Sequence, residues 1–323
     1  MKATANRRST AVWTETHEPT GRMQRFFGPI YITGIFWFGL CSVATRWLPY
    51  RLCQALSIVA TLISCLLLRR VRRGITSNLD VILGKTNWWR RELRIYRTLR
   101  MFSLVTIDRY TLFHHRHLLS VEITGRHHWD QAVGSDSGCV LISGHFGNWE
   151  VASLATSMID KQMHVVRERE VDDQSQALLT KLYGAHEGPN FQIHYAGDDS
   201  NLGANLLLAL RRGGVVGLAG DQPRIGQGYL EIEMFGHSTP VPVGPFALAR
   251  AAEVPILAVF GVRVGGIRYE VVVNEPIYVK RSKDRQHDVL EAAQQFGRVL
   301  EAMIRQSPHS WFCWWARWPQ PSR

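Results

Sequence analysis

Cysteine is scarce in this chain, and its spacing shows no pairing. The 323 residues include five cysteines, and an odd number excludes a framework in which every cysteine forms a disulfide within the chain. Three lie in apolar stretches near the N-terminus and one in a predicted strand, so we expect reduced, small hydrophobic residues in a protein that faces the cytosol. They are Cys41, Cys53, Cys65, Cys139 and Cys313.

Metal ligands are also missing at the required spacing. Five histidines fall close together at positions 114, 115, 117, 127 and 128. No cysteine or carboxylate accompanies them at the spacing of a zinc site. The sequence also lacks the His-Glu-x-x-His motif of zinc peptidases. We therefore predict no metal.

Acidic residues are scarce in the first 120 positions, which hold 19 Lys and Arg against 5 Asp and Glu. The remaining 203 residues hold 19 basic and 22 acidic residues, so the net charge of +11 comes from the N-terminal part. Long apolar stretches lie in the same part, and this combination favours anionic lipid headgroups. Zinc-finger spacing and the aromatic strands of RNA-binding domains are both missing, so we predict no nucleic-acid partner. For any single arginine, a solvated basic surface is the alternative.

Two uncharged runs dominate the N-terminal part. Residues 26–45 are about long enough to cross a bilayer core. Residues 52–68 follow, and a basic stretch, Arg-Arg-Val-Arg-Arg, comes directly after them, which is typical of the cytoplasmic end of a membrane segment. We expect a disordered polar tail over residues 1–22, a membrane anchor over 23–73 and the main domain over 74–323. One crossing, a hairpin and an interfacial orientation all remain open, and the second run could equally be a core helix.

Apolar residues recur at helical spacing from Trp88 to Leu119, with arginines between them. A basic amphipathic helix of this kind is typical of a membrane surface. A core-facing helix with a solvated face fits the pattern almost as well.

Short apolar runs alternate with amphipathic segments from residue 138 onward. Strands are predicted over residues 139–143, 163–167, 190–195, 215–219, 229–234, 255–262 and 269–273. Helices are predicted over residues 149–160, 172–183, 202–212, 245–252 and 286–305. This alternation predicts an α/β fold with a mostly parallel central sheet flanked by helices.

The stretch Gly-His-Phe-Gly-Asn-Trp-Glu, which ends at Glu150, directly follows the first of these strands. His145 would lie in the turn, with Asn148 as the helix N-cap and Glu150 in the first helical turn. Residues five apart do not share a helix face, so His145 and Glu150 could meet only if the histidine precedes the helix. The carboxylate would then orient the imidazole, and the other ring nitrogen would take a proton from a bound hydroxyl. A loop histidine satisfied by a neighbouring carboxylate is the alternative.

This stretch resembles the motif of glycerolipid acyltransferases in which four residues separate a histidine from an acidic residue. Its residues resemble still more closely those of the bacterial lipid A late acyltransferases, the lauroyl and myristoyl transferases. Further stretches resemble that family in its own order up to Trp318: Val-Val-Arg ending at Arg167, a strand ending in Asp221-Gln222, Phe-Gly-x-x-Thr over residues 235–239, a helix ending in Leu-Ala-Arg at residue 250, and a tryptophan-rich C-terminus. The tryptophans could seal the core or grip an acyl chain.

The chain departs from the family pattern over residues 172–203. An arginine-containing stretch expected there is missing, and Tyr183, His186 and His194 are present instead. The motifs therefore do not identify the acceptor substrate.

The resemblance implies a glycerolipid acyltransferase-like fold with an N-terminal membrane-associated helical region, so that residues 74–323 would form the acyltransferase domain. It implies an enzyme on the cytoplasmic face of the bacterial inner membrane. The enzyme would move a fatty acyl group from acyl-carrier protein or coenzyme A to a hydroxyl of a lipid, such as a lipid A precursor or a related glycolipid or phospholipid. No cofactor is implied. An inactive lipid-binding protein and an acyl-thioester hydrolase are the alternatives.

The resemblance also implies roles for single residues. His145 would be the general base, and Glu150 would orient it and stabilise its charged form. Backbone amides near Phe146 and Gly147, with Arg167, would stabilise the oxyanion. The predicted substrate-binding residues are Phe146, Gly147, Asn148, Arg167, Asp221, Gln222, Gly236 and Thr239.

Overall fold

The computed structural model describes residues 34–133, 137–151, 161–170, 172–184, 190–223 and 227–318. The predicted polar tail over residues 1–22 and the first part of the uncharged run at 26–45 lie outside the described residues.

From residue 34 onward, where the structure describes the chain, four α-helices precede the sheet. They are α1 (Ile35–Trp47), α2 (Tyr50–Leu67), α3 (Arg69–Leu83) and α4 (Trp88–His114). Helix α4 begins where the Asn87 side chain accepts a hydrogen bond from the amide of Arg90. Within the described residues, α2 is the one helix whose length and composition would allow it to cross a bilayer.

The basic stretch after the second uncharged run is the first turn of α3. Val71, Ile75 and Leu79 of this helix are buried in the main core, against residues of the sheet and the C-terminus. The predicted boundary at residue 73 therefore falls inside a helix whose buried side chains belong to the main core.

The central sheet has seven strands in the order β1-β9-β8-β2-β5-β3-β4. They are β1 (Ser120–Thr124), β2 (Cys139–Ser143), β3 (Met163–Arg167), β4 (Phe191–Tyr195), β5 (Val215–Ala219), β8 (Ile256–Gly265) and β9 (Arg268–Val273). Neighbouring strands are parallel, except that β8 and β9 are antiparallel. Strands β6 (Tyr229–Met234) and β7 (His237–Pro242) form a separate antiparallel hairpin. The predicted α/β architecture with a mostly parallel central sheet is confirmed.

The helices fully described alongside the sheet are α5 (Arg126–Val133), α6 (Asp173–Gly184), α7 (Leu202–Arg211), α8 (Gly244–Ala252) and α9 (Arg285–Gln306). The predicted helix over residues 149–160 begins at Trp149, and residues 152–160 lie outside the described part of the chain.

Two of the strands have no counterpart in the sequence prediction. Strand β1 lies at the edge of the sheet, and its side chains are in turn exposed and half-buried. Strand β7 contains Pro240 and Pro242, and proline is tolerated there because the hairpin has only two strands, each with a free edge. Neither strand has the continuous apolar run of a central strand.

The core lies on both faces of the sheet, because side chains alternate along each strand. Val140 and Ile142 of β2 point to a cluster that includes Phe246 of α8 and Phe296 of α9. Cys139 and Leu141 point to a second cluster with β9 and α5. Strand β2 is therefore buried on both faces, as is typical of parallel sheets.

Candidate active site

His145 lies two residues beyond β2, and its imidazole is held by Asp221. The ring Nδ1 is 2.7 Å from Oδ1 of Asp221, and the His145 amide donates to Oδ2 at 3.0 Å. The Asp221 side chain is 2% exposed and that of His145 is 38% exposed. Among the described residues, this carboxylate is the hydrogen-bond partner of the ring, so the other ring nitrogen is available to a substrate.

The two residues meet because their strands are neighbours in matched register. Strands β2 and β5 pair in parallel, with Ser143 opposite Ala219. His145 and Asp221 each lie two positions further along, so both reach the same point at the carboxyl edge of the sheet. Ligands of open α/β sheets gather outside that edge. Asp221, predicted as a substrate-binding residue, therefore lies beside the histidine.

The structure differs from the prediction for Glu150, because the carboxylate on the His145 ring is Asp221. Oε1 of Glu150 accepts a hydrogen bond from the Tyr183 hydroxyl at 2.8 Å. It also lies 2.9 Å from Nε of Arg109 and 3.7 Å from a terminal nitrogen of Arg167. These contacts direct the Glu150 carboxylate toward α4, α6 and the end of β3.

Arg167 ends β3 at the predicted edge of the sheet. Its guanidinium lies over the Tyr183 ring, 4.2 Å from the centroid. The Arg167 side chain is 20% exposed, whereas that of Glu150 is 9% exposed. Arg167, Glu150 and Tyr183 therefore form one charged cluster beside the histidine turn, with Arg109 on its buried side. Arg109 gave no signal in the sequence, because it is one of many arginines on the basic helix α4.

The turn after His145 has the predicted N-cap. Oδ1 of Asn148 accepts from the amides of Glu150 at 3.2 Å and Val151 at 3.4 Å. Gly147 has a φ of 61°, and a Cβ there would lie 2.0 Å from the Gly261 carbonyl oxygen. Only glycine fits a left-handed position this close to another backbone.

Three groups in this turn that were predicted to contact the substrate make their contacts within the protein instead. The Gly147 amide donates to the Ser310 carbonyl at 2.8 Å, so it is not an oxyanion donor in this structure. The Phe146 side chain is fully buried and packs edge-on against Phe260. Asn148 is also fully buried, and its amide capping group serves the helix. Of the two predicted amides, that of Phe146 is bonded to none of the described residues.

The protonation of the pair follows from these contacts. Burial lowers the pKa of His145, but the charge of Asp221 and its hydrogen bond raise it more, so the pKa lies above its ordinary value of 6.5. Burial raises the pKa of Asp221, but His145 and Trp311 together lower it to about 2. Asp221 is therefore charged at neutral pH, and a histidine held in this way is a good general base.

The C-terminal segment, residues 311–318, supplies further contacts to Asp221. Nε1 of Trp311 donates to its Oδ2 at 3.1 Å, and the buried Arg317 donates to its backbone carbonyl at 2.6 Å. Trp311 and Trp318 are buried in the main core. The described tryptophans of this segment thus contribute to the core, and Trp311 also to the candidate site. Gln222 is half-buried, with Nε2 3.4 Å from Oδ2 of Asp221.

Gly236 and Thr239 have structural contacts in the β6–β7 hairpin. Gly236 has a φ of 73° in the two-residue turn, where glycine is favoured. The Thr239 hydroxyl is buried, accepts from Nε1 of Trp318 at 2.8 Å and lies 3.1 Å from the His237 carbonyl. The hydroxyl is therefore already satisfied without a substrate.

The 1-acyl-sn-glycerophosphate (LPA) acyltransferase PlsC from Thermotoga maritima is similar over 84% of this chain and 100% of that chain, with 11% sequence identity and a TM-score of 0.37. No curated protein matches. A family model described as bacterial lipid A biosynthesis acyltransferase matches residues 23–320, nearly the whole chain. The resemblance noted in the sequence is thereby confirmed, and the chain belongs to the bacterial lipid A biosynthesis acyltransferase family.

Proposed function

We propose that this lipid acyltransferase moves a fatty acyl group from the thioester of acyl-carrier protein or coenzyme A to a lipid hydroxyl. The acceptor is a lipid A precursor or a related glycolipid or phospholipid, and the reaction takes place at the cytoplasmic face of the bacterial inner membrane. The observation that supports the chemistry best is the half-exposed imidazole of His145 with its Nδ1 held by the buried Asp221.

His145 is the general base. With Nδ1 bonded to Asp221, the neutral ring takes the acceptor's hydroxyl proton on Nε2 as that oxygen attacks the thioester carbonyl. The tetrahedral intermediate collapses, the carbon–sulfur bond breaks, and the imidazolium returns its proton to the leaving thiolate. Asp221 holds the ring in the required tautomer and stabilises its charged form, the role that an aspartate has in hydrolase triads.

The oxyanion needs donors on the same edge of the sheet. The Phe146 amide and the Arg167 guanidinium are the candidates, because the first has no partner among the described residues and the second is partly exposed. Glu150 acts through the arginines: its carboxylate lies between Arg109 and Arg167 and fixes the position of their charge. Gln222 lies beside Asp221 and is the remaining candidate for a substrate contact.

The surface of α2 supports attachment to a membrane. Its buried residues are Cys53, Ser57 and Thr61, whereas Leu56 and Ile63 are about half exposed. This is the reverse of a soluble amphipathic helix, which buries its apolar side. The exposed arginines of the N-terminal helices suit anionic headgroups next to this apolar face.

The proposal is tested by transfer of radiolabelled acyl groups from acyl-carrier protein or coenzyme A into a bacterial lipid extract. We expect His145→Ala to reduce transfer by at least about 100-fold, since general-base catalysis contributes about 10²- to 10⁴-fold. His164→Ala, a histidine of β3 outside the candidate site, is the matched control and should keep its activity. Undiminished transfer by His145→Ala would contradict the proposal, and label released as free acid would indicate a hydrolase.

A further inference from the structure

Asp108 of α4 is a fully buried carboxylate to which three elements donate. The Tyr50 hydroxyl at the start of α2 lies 2.6 Å from Oδ1. Nε of Arg263 in β8 lies 2.7 Å from Oδ2, and the Tyr269 hydroxyl in β9 lies 2.6 Å from the same oxygen. Both carboxylate oxygens are therefore satisfied within the protein, and the Asp108 side chain is fully buried.

A buried charge of this kind is a poor source of stability. Removing a carboxylate and a guanidinium from water is energetically costly, and apolar residues of the same volume often serve a core equally well. Arg263 is 8% exposed and Asp108 is 0% exposed, so water compensates little of that cost. Networks of this kind are suited to fixing one arrangement of the elements that they join.

One of the three donors, Tyr269, also contacts the turn that follows His145. The Tyr269 hydroxyl is also 3.4 Å from Nδ2 of Asn148, whose Oδ1 caps the helix that carries Glu150. Tyr269 and Asn148 are both buried. Burial and the charge of Asp108 raise the pKa of Tyr269, so its hydroxyl remains a donor to the carboxylate. The Asn148 amide group is thus held on one side by Tyr269 and on the other by the helix end.

We infer that Asp108 is a positioning residue for the acyltransfer reaction, acting through the Tyr269 hydroxyl on Asn148 and so on the turn between His145 and Glu150. This inference rests on the proposed role of that turn. Asp108 touches neither His145 nor Asp221, so it sets the geometry of the turn and leaves the protonation of the pair unchanged.

Two tyrosines donate to the same carboxylate, and only one of them continues to the turn. Tyr269→Phe breaks the path to Asn148. Tyr50→Phe removes the other hydroxyl, which also accepts from Arg263 and Gln54 at 3.0 Å, so at least as many hydrogen bonds are lost. The two variants are a matched pair in chemistry and differ in what lies beyond Asp108.

The experiment compares the full-length wild-type chain, Tyr269→Phe and Tyr50→Phe in detergent, with donor and acceptor concentrations varied. We expect Tyr269→Phe to lower kcat by about 10- to 100-fold, the effect of a displaced catalytic group. The donor KM and the apparent pKa of the rate should stay unchanged. Tyr50→Phe should keep kcat within about twofold of the wild type, although its Tm should fall by as much as that of Tyr269→Phe. Asp108→Asn should reproduce the loss in kcat of Tyr269→Phe.

Equal kcat values for the two tyrosine variants would overturn the inference, and so would a Tyr269→Phe variant that retains kcat within twofold. A shift of the apparent pKa in Tyr269→Phe would also overturn it, because the effect would then reach the imidazole directly. These outcomes are independent of the proposed function, which fails instead if His145→Ala retains transfer.

Discussion

At the scale of single residues, Asp221 is the residue that joins the elements of the candidate site by hydrogen bonds. Its carboxylate accepts from the ring and the amide of His145 and from Trp311, and its own carbonyl accepts from Arg317. A carboxylate with this many donors stays charged, and its charge stabilises the imidazolium that forms during the reaction.

The pH dependence of activity follows from this pair. Because the pKa of His145 is raised, the fraction of neutral base increases only as the pH passes above 6.5, and kcat/KM should rise with it. Asp221→Asn removes the charge that raises the pKa, so the rise should move to lower pH. The plateau should fall by about 10²- to 10⁴-fold because the ring loses its orientation. A profile of kcat/KM from pH 5 to 9 measures both effects. An Asp221→Asn plateau equal to the wild type would contradict the assignment.

Two glycines should respond in opposite ways to alanine. Gly147→Ala places a Cβ 2.0 Å from the Gly261 carbonyl oxygen at a left-handed φ, so the turn must move. We expect lower activity and a destabilisation of about 1–3 kcal/mol. Gly203→Ala lies in α7, and apart from its own helix backbone no atom comes within 4 Å of the added Cβ. The substitution should stabilise the protein by about 0.5–1 kcal/mol. Urea unfolding of both variants, together with the transfer assay, distinguishes them.

At the scale of elements, α3 holds the C-terminal segment against the site. Nδ2 of Asn78 donates to the carbonyls of Cys313 at 3.2 Å and Trp315 at 2.8 Å, and its Oδ1 accepts from the Arg317 amide at 2.7 Å. The backbone of α3 also comes close, because a Cβ on Gly74 would lie 2.1 Å from the Trp314 carbonyl oxygen. The segment that supplies Trp311 and Arg317 is thus held in place by a helix more than 230 residues earlier in the chain.

Asn78→Leu should therefore loosen this segment. Two buried bonds, to the Cys313 carbonyl and the Arg317 amide, and the part-buried bond to the Trp315 carbonyl would be lost. We expect a loss of about 2–4 kcal/mol in the free energy of unfolding. Ser77→Ala is the control, because Ser77 makes a single, longer contact of 3.3 Å to the Trp318 carbonyl. Its expected cost is under about 1 kcal/mol. Urea midpoints at constant m-value measure both changes, and similar losses in the two variants would contradict the assignment.

At the scale of the whole molecule, the N-terminal helices present apolar and basic surface side by side. The polar face of α2 is bonded to α4: the Thr61 and Ser103 hydroxyls are 3.0 Å apart, and Arg100 donates to the Gln54 carbonyl at 3.0 Å. The outward face consists of leucine, isoleucine and valine side chains, several of them half exposed or more. In water such an exposed apolar face would favour aggregation, whereas beside lipid tails it is stable.

Binding to vesicles tests this surface. Leu56→Glu combined with Ile63→Glu should reduce flotation with anionic vesicles at least about tenfold, because the apolar face gains two charges. Leu208→Glu combined with Leu290→Glu adds the same charge on α7 and α9, at residues 49% and 37% exposed, and should float like the wild type. Equal flotation of the two double variants would show that α2 is not the lipid-facing element. Binding should also weaken with added salt if the arginines contribute.

The central elements were predictable because their signals are local. Apolar runs between glycines predict β2 and β5 at their observed bounds, and helical periodicity predicts most of α9. The edge strand β1 and the proline-containing β7 escaped prediction because pairing with a neighbour, and not their own composition, makes them strands. The same limit applies to α3, because its contacts with the C-terminus, through Gly74, Ser77 and Asn78, join residues more than 230 positions apart.

The sequence by itself determined the strand, the turn with His145, the N-cap at Asn148 and the family, because all of these depend on residues within a few positions of one another. Only the tertiary structure decided which carboxylate holds the imidazole. Glu150 is five residues away but is turned by its helix toward Arg109 and Tyr183, whereas Asp221 is 76 residues away and is brought to His145 by the pairing of β2 with β5. Strand order is set by long-range packing of the core, which no local pattern encodes.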